Sequence, residues 1–295
     1  MLKRTICLSS PLKVSVRNFQ LQLSPLDGNA PSSCVPIEDL AHVIIDNPRI
    51  SISIPALNEL ARNNVGVVIC DEKNLPHIML NTLDSNSLQG QRYRIQLNAS
   101  LPAKKSVWQQ IIISKIRNQS RLLNKLGKDG DTLKPYYMNV KSDDADNREG
   151  IAAKLYWQIL FGREYFRSRD GAPPNNLLNY GYTILRAATA RAIVGAGLLP
   201  ALGIHHHNRS NAFPLADDLM EPFRPYVDEI AHSLHLEGKW QLDKETKARL
   251  INILYRDTIV NDKLHPISIA LEMMCTSVIK VMNGESKVLN LPVFQ

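Results

Sequence analysis

The 295-residue sequence has no apolar run of the roughly 18 residues a helix needs to span a bilayer, which excludes a helical membrane anchor. Its first residues, MLKRTICLSSPLKVSV, carry charge but no apolar stretch of the ~7–15 residues a secretory signal requires. Cysteine is scarce: Cys7, Cys34, Cys70 and Cys275 stand far apart, with no CxxC pair. That excludes a disulfide framework and a structural zinc site, and it suits the reducing cytoplasm. Internal repeats and low-complexity tracts are missing too, which argues against a solenoid or a disordered array.

What the sequence does contain is enough apolar material for a core. Hydrophobic residues make up 44% of it, which excludes global disorder and leaves room for one large domain or two modest ones. The net charge of +7 is unevenly placed: residues 1–97 carry +1 and residues 98–295 carry +6. A basic excess confined to one part suits a polyanionic partner, although a solubilising surface has the same signature.

The first 80 residues read as strands. TICLSS, KVSVRN, FQLQLS, HVIIDN, ISISIP and VGVVICD are short, alternating or rich in β-branched residues, and turn formers punctuate most of the gaps. One helical stretch, residues 54–64, is embedded among them. From residue 103 the text is helical. Val107, Ile111, Ile112, Ile116, Leu122 and Leu123 mark one face of a helix that closes at Gly127. Asn147 caps a second helix that closes at Gly162, and a nearly apolar helix interrupted by glycines covers 176–203. Further helical stretches are expected at about 214–236 and 243–283, with a short extended tail. The fold class is therefore α+β: a β-rich domain over 1–82 with one embedded helix, a polar linker over 83–102, and a larger all-α domain over 103–295.

Chemistry-bearing residues concentrate in NREG (147–150) and GIHHHNRSNAFPLADDLMEPFRP (203–225). Asp218 and Glu221 are three apart, so on a helix both carboxylates share a face. Pro222 removes an amide there and should kink or loosen that helix. Carboxylates so spaced are more often a solvated face than a site. His205, His206 and His207 are consecutive, so their side chains splay and cannot all serve one ion. Glu149 in a first helical turn also suits the helix dipole. On α-helical spacing Arg117, Arg121, Lys125 and Lys128 form a basic stripe, within a segment (98–135) where eight Lys/Arg face two acidic residues. Such a stripe is either solvated surface or a phosphate-contacting face. Arg148 and Arg224 lie beside the acidic residues, and either a phosphate or an ion pair would satisfy them.

Taken together these motifs resemble the CRISPR-associated adaptation integrases, the Cas-one family, in their type II form. In that family a glutamate at an NREG-like helix start, a histidine in G-x-x-H and an acidic residue in D-[LI]-M-E-x-F-R-P hold a divalent ion. The resemblance assigns those roles to Glu149, His206 and Glu221, with Mg²⁺ or Mn²⁺ as the ion. Asp218 becomes a supporting or alternate ligand. The stretches VWQQIIISKIRNQS (107–120) and NNLLNYGYTIL (175–185), with Arg191, extend the likeness. The resemblance implies an endonuclease/integrase that joins 3′-hydroxyl ends of spacer DNA to a repeat array by phosphodiester transesterification. It also implies a homodimer, a hetero-hexamer with the small companion protein Cas-two, a link to the type II effector nuclease, and double-stranded DNA as substrate. Hydrolysis of branched DNA at the same residues, or a non-catalytic DNA-binding scaffold, are the alternative readings.

Overall fold

The computed structural model describes residues 3–28, 30–72, 76–80, 82 and 86–295. It is α+β, and the chain divides into two compact units, Met1–Ser85 and Asn86–Gln295.

The first unit is β-rich. Its strands are β1 (Arg4–Leu8), β2 (Leu12–Arg17), β3 (Gln20–Pro25), β4 (Ser33–Pro36), β5 (Leu40–Ile45), β6 (Ser51–Ile52), β7 (Gly66–Cys70) and β8 (Pro76–Leu80), with helix α1 (Ile54–Arg62) between β6 and β7. They form two four-stranded sheets, ordered β1-β5-β7-β8 and β4-β3-β2-β6. In the first sheet β5 runs parallel to both β1 and β7, and every one of its residues is buried. A central parallel strand covered on both faces reads as a continuous apolar run, as LAHVII nearly does. Val14, Leu21, Leu40, Val43 and Leu60 meet in this unit's core. Ser53 caps α1 by accepting from the Ala56 amide.

The second unit is mainly helical. It contains α2 (Gln89–Asn98), α3 (Leu101–Lys125), α4 (Lys134–Met138), α5 (Arg148–Phe161), α6 (Asn175–Gly195), α7 (Pro214–Met220), α8 (Arg224–Leu236), α9 (Lys244–Ile251), the hairpin β9 (Asp257–Val260) and β10 (Lys263–Pro266), and α10 (Ile267–Met282). Helix α6 is buried along most of its length; it ends at Gly195, and Gly197 follows with a φ of +65°, so the expected continuation to 203 does not form. A 3-10 turn over Glu221–Phe223 separates α7 from α8 at Pro222. Among the described residues no helix is long and apolar enough to cross a membrane.

Two expectations are corrected. The stretch 83–102 is not a linker throughout: residues 83–85 lie outside the described residues, but α2 occupies Gln89–Asn98 and α3 starts at Leu101. The segment 243–283 is not continuously helical, because the β9–β10 hairpin interrupts it. That hairpin turns at Asn261 and Asp262, both with positive φ, the backbone a tight two-residue turn demands.

Candidate active site

Four segments of the helical unit build the cluster: the middle of α3, the start of α5, the loop 203–207, and the α7–α8 junction. The start of α5 is fixed by its own backbone. Asp143, Asp144 and Asn147 have positive φ, a conformation that short polar side chains tolerate. The Asp144 carboxylate then accepts the amides of Arg148 (2.8 Å) and Glu149 (3.0 Å), and Asn147 accepts that of Gly150 (3.2 Å). Burial raises the Asp144 pKa.

Glu149 thereby meets α3. Its Oε1 lies 2.5 Å from the Lys115 ammonium, and Glu221 Oε2 lies 2.5 Å from the same nitrogen. Lys115 is only 9% exposed in its side chain, and Glu221 only 4%. Arg224 holds the other Glu221 oxygen at 2.9 Å, with its guanidinium 4.6 Å from the centre of the Tyr182 ring. Burial alone would raise the Glu221 pKa, but Arg224 and Lys115 hold it below the ordinary value. Burial likewise opposes the charge on Lys115, and Glu149 and Glu221 overcome it and raise its pKa. The carboxylate and the ammonium thus favour each other's charged forms.

His206 faces another way. Its Nδ1 is 2.6 Å from Asp218 Oδ1, and that hydrogen bond raises the imidazole pKa against the effect of partial burial. Asp218 is fully buried, and its oxygens also accept the amides of Ile204 (2.6 Å), His205 (3.1 Å) and His206 (3.2 Å). Both of its oxygens are thus committed to holding the histidine loop. Gly203 makes that loop possible: a Cβ there would lie 2.2 Å from the His206 carbonyl oxygen. His205 stacks on the buried Trp108, ring centres 4.2 Å apart, and His207 is exposed. The adjacent Asp217 bonds instead to Arg186 and Asn211. Beside His206 opens a cavity of about 450 Å³ whose wall includes Lys104, His207, Arg209 and Asn211.

Glu149 and Glu221 thus meet, as the motifs imply, but on a lysine. Among the described residues no three His, Cys, Asp or Glu side chains are gathered closely enough to hold an ion as they stand. The donor set nevertheless fits a divalent cation. Two carboxylates already converge on one cationic position, and buried Glu221 Oε2 faces the ammonium without accepting an aligned hydrogen bond. Asp218 accepts from the His206 Nδ1–H, so the Nε2 lone pair is left for a ligand, the arrangement in which a carboxylate backs a metal-binding imidazole. Sequence reasoning missed Lys115. Its signal was a charge on the core face of α3, between Ile112 and Ile116, where a buried lysine requires partners.

The basic stripe is only partly open. Lys125 pairs with Glu229 (2.9 Å), and Lys128 donates to the Ile159 carbonyl (3.1 Å). Arg121 is half-buried, and burial, followed by neighbouring Arg117, lowers its pKa. Arg117 is exposed, with its guanidinium 5.2 Å from the Tyr137 ring centre. Arg148 is bound to Asp146 at 2.8 Å.

The arrangement of a β-rich unit followed by a helical one has counterparts among known proteins. The profile of the family described as CRISPR associated protein Cas1 matches residues 9–261. The CRISPR-associated endonuclease Cas1 of Neisseria meningitidis serogroup C is 35% identical over 294 residues, 98% of this chain and 95% of that protein. Among solved structures, a casposase bound to integration product superposes with a TM-score of 0.79 at 20% identity, covering 98% of this chain and 93% of the other. A Cas1 protein from Thermotoga maritima superposes at 0.77 and 17% identity, covering 95% and 97%. The chain belongs to the Cas1 family.

Proposed function

We propose that this chain is a type II form of the family that joins the 3′-hydroxyl ends of spacer DNA to a CRISPR repeat array by transesterification. The observation that carries the reading is the convergence of Glu149 and Glu221 on one buried cationic position, beside a histidine backed by Asp218. Transesterification breaks one phosphodiester as it makes another, so the obstacle is charge rather than bond energy: an oxygen nucleophile must approach an anionic phosphate. Mg²⁺ or Mn²⁺, held by Glu149, His206 Nε2 and Glu221, would lower the hydroxyl pKa and neutralise phosphate charge.

The chain's own residues do the rest. Asp218 keeps the His206 proton on Nδ1 and fixes the loop through three amides. Arg224 keeps Glu221 ionised in a buried setting. Exposed Arg117, with Lys104 and Arg209 at the cavity, supplies positive surface for the DNA backbone. A homodimer through the β-rich unit, assembly with the small companion protein Cas-two into a hetero-hexamer, and a link to the type II effector nuclease complete the proposal, with double-stranded DNA as substrate.

The test is strand joining of duplexes ending in a 3′-hydroxyl or a dideoxynucleotide, with Mn²⁺ present. Joining only from the hydroxyl supports the proposal, provided Glu149→Gln abolishes it. Equal cleavage of both, with water as the nucleophile, would show a hydrolytic nuclease instead.

A further inference from the structure

Lys115 is the member of the cluster that the ion-binding reading leaves without a task. It projects from the core face of α3, where a lone ammonium would be strongly unfavourable. It is stable there because Glu149 and Glu221, from separate segments, each place an oxygen 2.5 Å from its nitrogen. A single monovalent cation therefore sits where the two carboxylates meet. A divalent ion such as Mg²⁺ bound by those carboxylates at ~2.0–2.1 Å leaves no space for an ammonium between them.

We propose that Lys115 is a positioning residue that acts as a resident counter-ion: it holds Glu149 and Glu221 together without a divalent ion, and the ion must displace it. The inference rests on the metal-binding reading of the same site. Two carboxylates left alone in this buried setting would repel each other, so the lysine keeps their geometry assembled. It also competes with the ion and weakens its binding. The charge count extends the argument. Glu149, Glu221 and Asp218 against Lys115 and Arg224 leave one negative charge around a neutral His206, so the cluster is singly negative before the ion arrives and singly positive afterwards. The displaced ammonium stays tethered to α3 and then favours an anion. A DNA phosphate is that anion under the proposed function, so ion and DNA load cooperatively, each favouring the other.

The experiment titrates Mn²⁺ into metal-free full-length protein by calorimetry, with and without a duplex blocked by a 3′-dideoxynucleotide. Wild type, Lys115→Gln, Lys115→Arg and Glu149→Gln are compared. Without DNA, Lys115→Gln should bind Mn²⁺ at least about tenfold more tightly than wild type, and the tightening that DNA causes should shrink. A purely structural lysine would give the opposite sign, since its loss would loosen the site. Lys115→Arg keeps the charge and should bind no more tightly than wild type. Unchanged or weaker binding by Lys115→Gln, or a gain by Lys115→Arg, overturns the role of Lys115. If Lys115→Gln does not fold, Lys115→Met, which also removes the charge, is read in the same way. Failure of wild type to bind Mn²⁺, or full binding by Glu149→Gln, would instead overturn the metal-site reading beneath it.

Discussion

Asp228 lies beneath the site and makes the helical unit's stability depend on pH. It is fully buried on α8 and accepts the Tyr156 hydroxyl at 2.7 Å and the Tyr182 hydroxyl at 2.5 Å. The Tyr182 ring in turn supports Arg224, the partner of Glu221. Burial pushes the Asp228 pKa from 3.8 up to about 6, and the two tyrosines with Arg224 and Arg167 offset only part of that effect. Because the folded pKa is raised, the folded state holds its proton where the unfolded state has released it. The resulting stabilisation is full below about pH 4 and is lost as pH rises through about 6. A gap of about two units at ~1.36 kcal/mol each amounts to ~3 kcal/mol. Asp228→Asn removes that dependence. It also leaves one tyrosine hydroxyl poorly matched, at a pH-independent cost of ~1–2 kcal/mol. Urea unfolding from pH 4 to 8, followed by tryptophan fluorescence, measures both terms, since Trp108, Trp157 and Trp240 all lie in the helical unit. The gap between wild type and variant should narrow or reverse by ~3 kcal/mol as pH rises. Parallel curves would refute the buried-carboxylate argument.

Three further outcomes follow from the geometry. Gly203→Ala sets a Cβ against the His206 carbonyl and should lower metal-dependent strand joining on the order of a hundredfold with the fold retained; wild-type rates would contradict the crowding argument. Neutral imidazole binds metal, and Asp218 raises the His206 pKa, so joining should fall as pH drops through that raised value. Asp218→Asn should move the fall to lower pH and weaken Mn²⁺ binding about 10–100-fold; an unmoved midpoint would count against the His206–Asp218 pair. Arg117→Gln should flatten the salt dependence of DNA binding by about 0.9 log units per log salt, whereas Lys128→Gln, at a side chain already bonded to a carbonyl, should leave it unchanged. Equal slopes for both variants would show that exposure does not select the phosphate contacts.

The elements that were legible in the sequence carry their own local signals. Helix α3 combines an apolar stripe with a closing Gly127, and α5 is marked by Asn147 and Gly162 at its two ends. Helix α2 was not legible because tertiary polar contacts hold it rather than an apolar face. Asn86 and Arg92 donate to the carbonyls of Gly195 and Ala196, and Gln96 bonds to Leu199 and Leu202. The β9–β10 hairpin did carry a signal, Asn261-Asp262 between two β-branched or apolar stretches, but the surrounding helical text obscured it. At the site, motif spacing identifies residue types but not their partners. That Asp218 faces His206 while Glu221 faces Lys115 depends on the 3-10 turn at Pro222 and on where α3 packs, and both are tertiary facts.

The central claim is that Glu149, His206 and Glu221 hold one divalent ion. Crystals soaked in Mn²⁺ and measured at the manganese absorption edge test it most directly. The account predicts one anomalous peak ligated by Glu149, His206 Nε2 and Glu221, with the Lys115 ammonium displaced from between the carboxylates. A peak elsewhere, or a saturated soak that leaves Lys115 bridging Glu149 and Glu221, would contradict it.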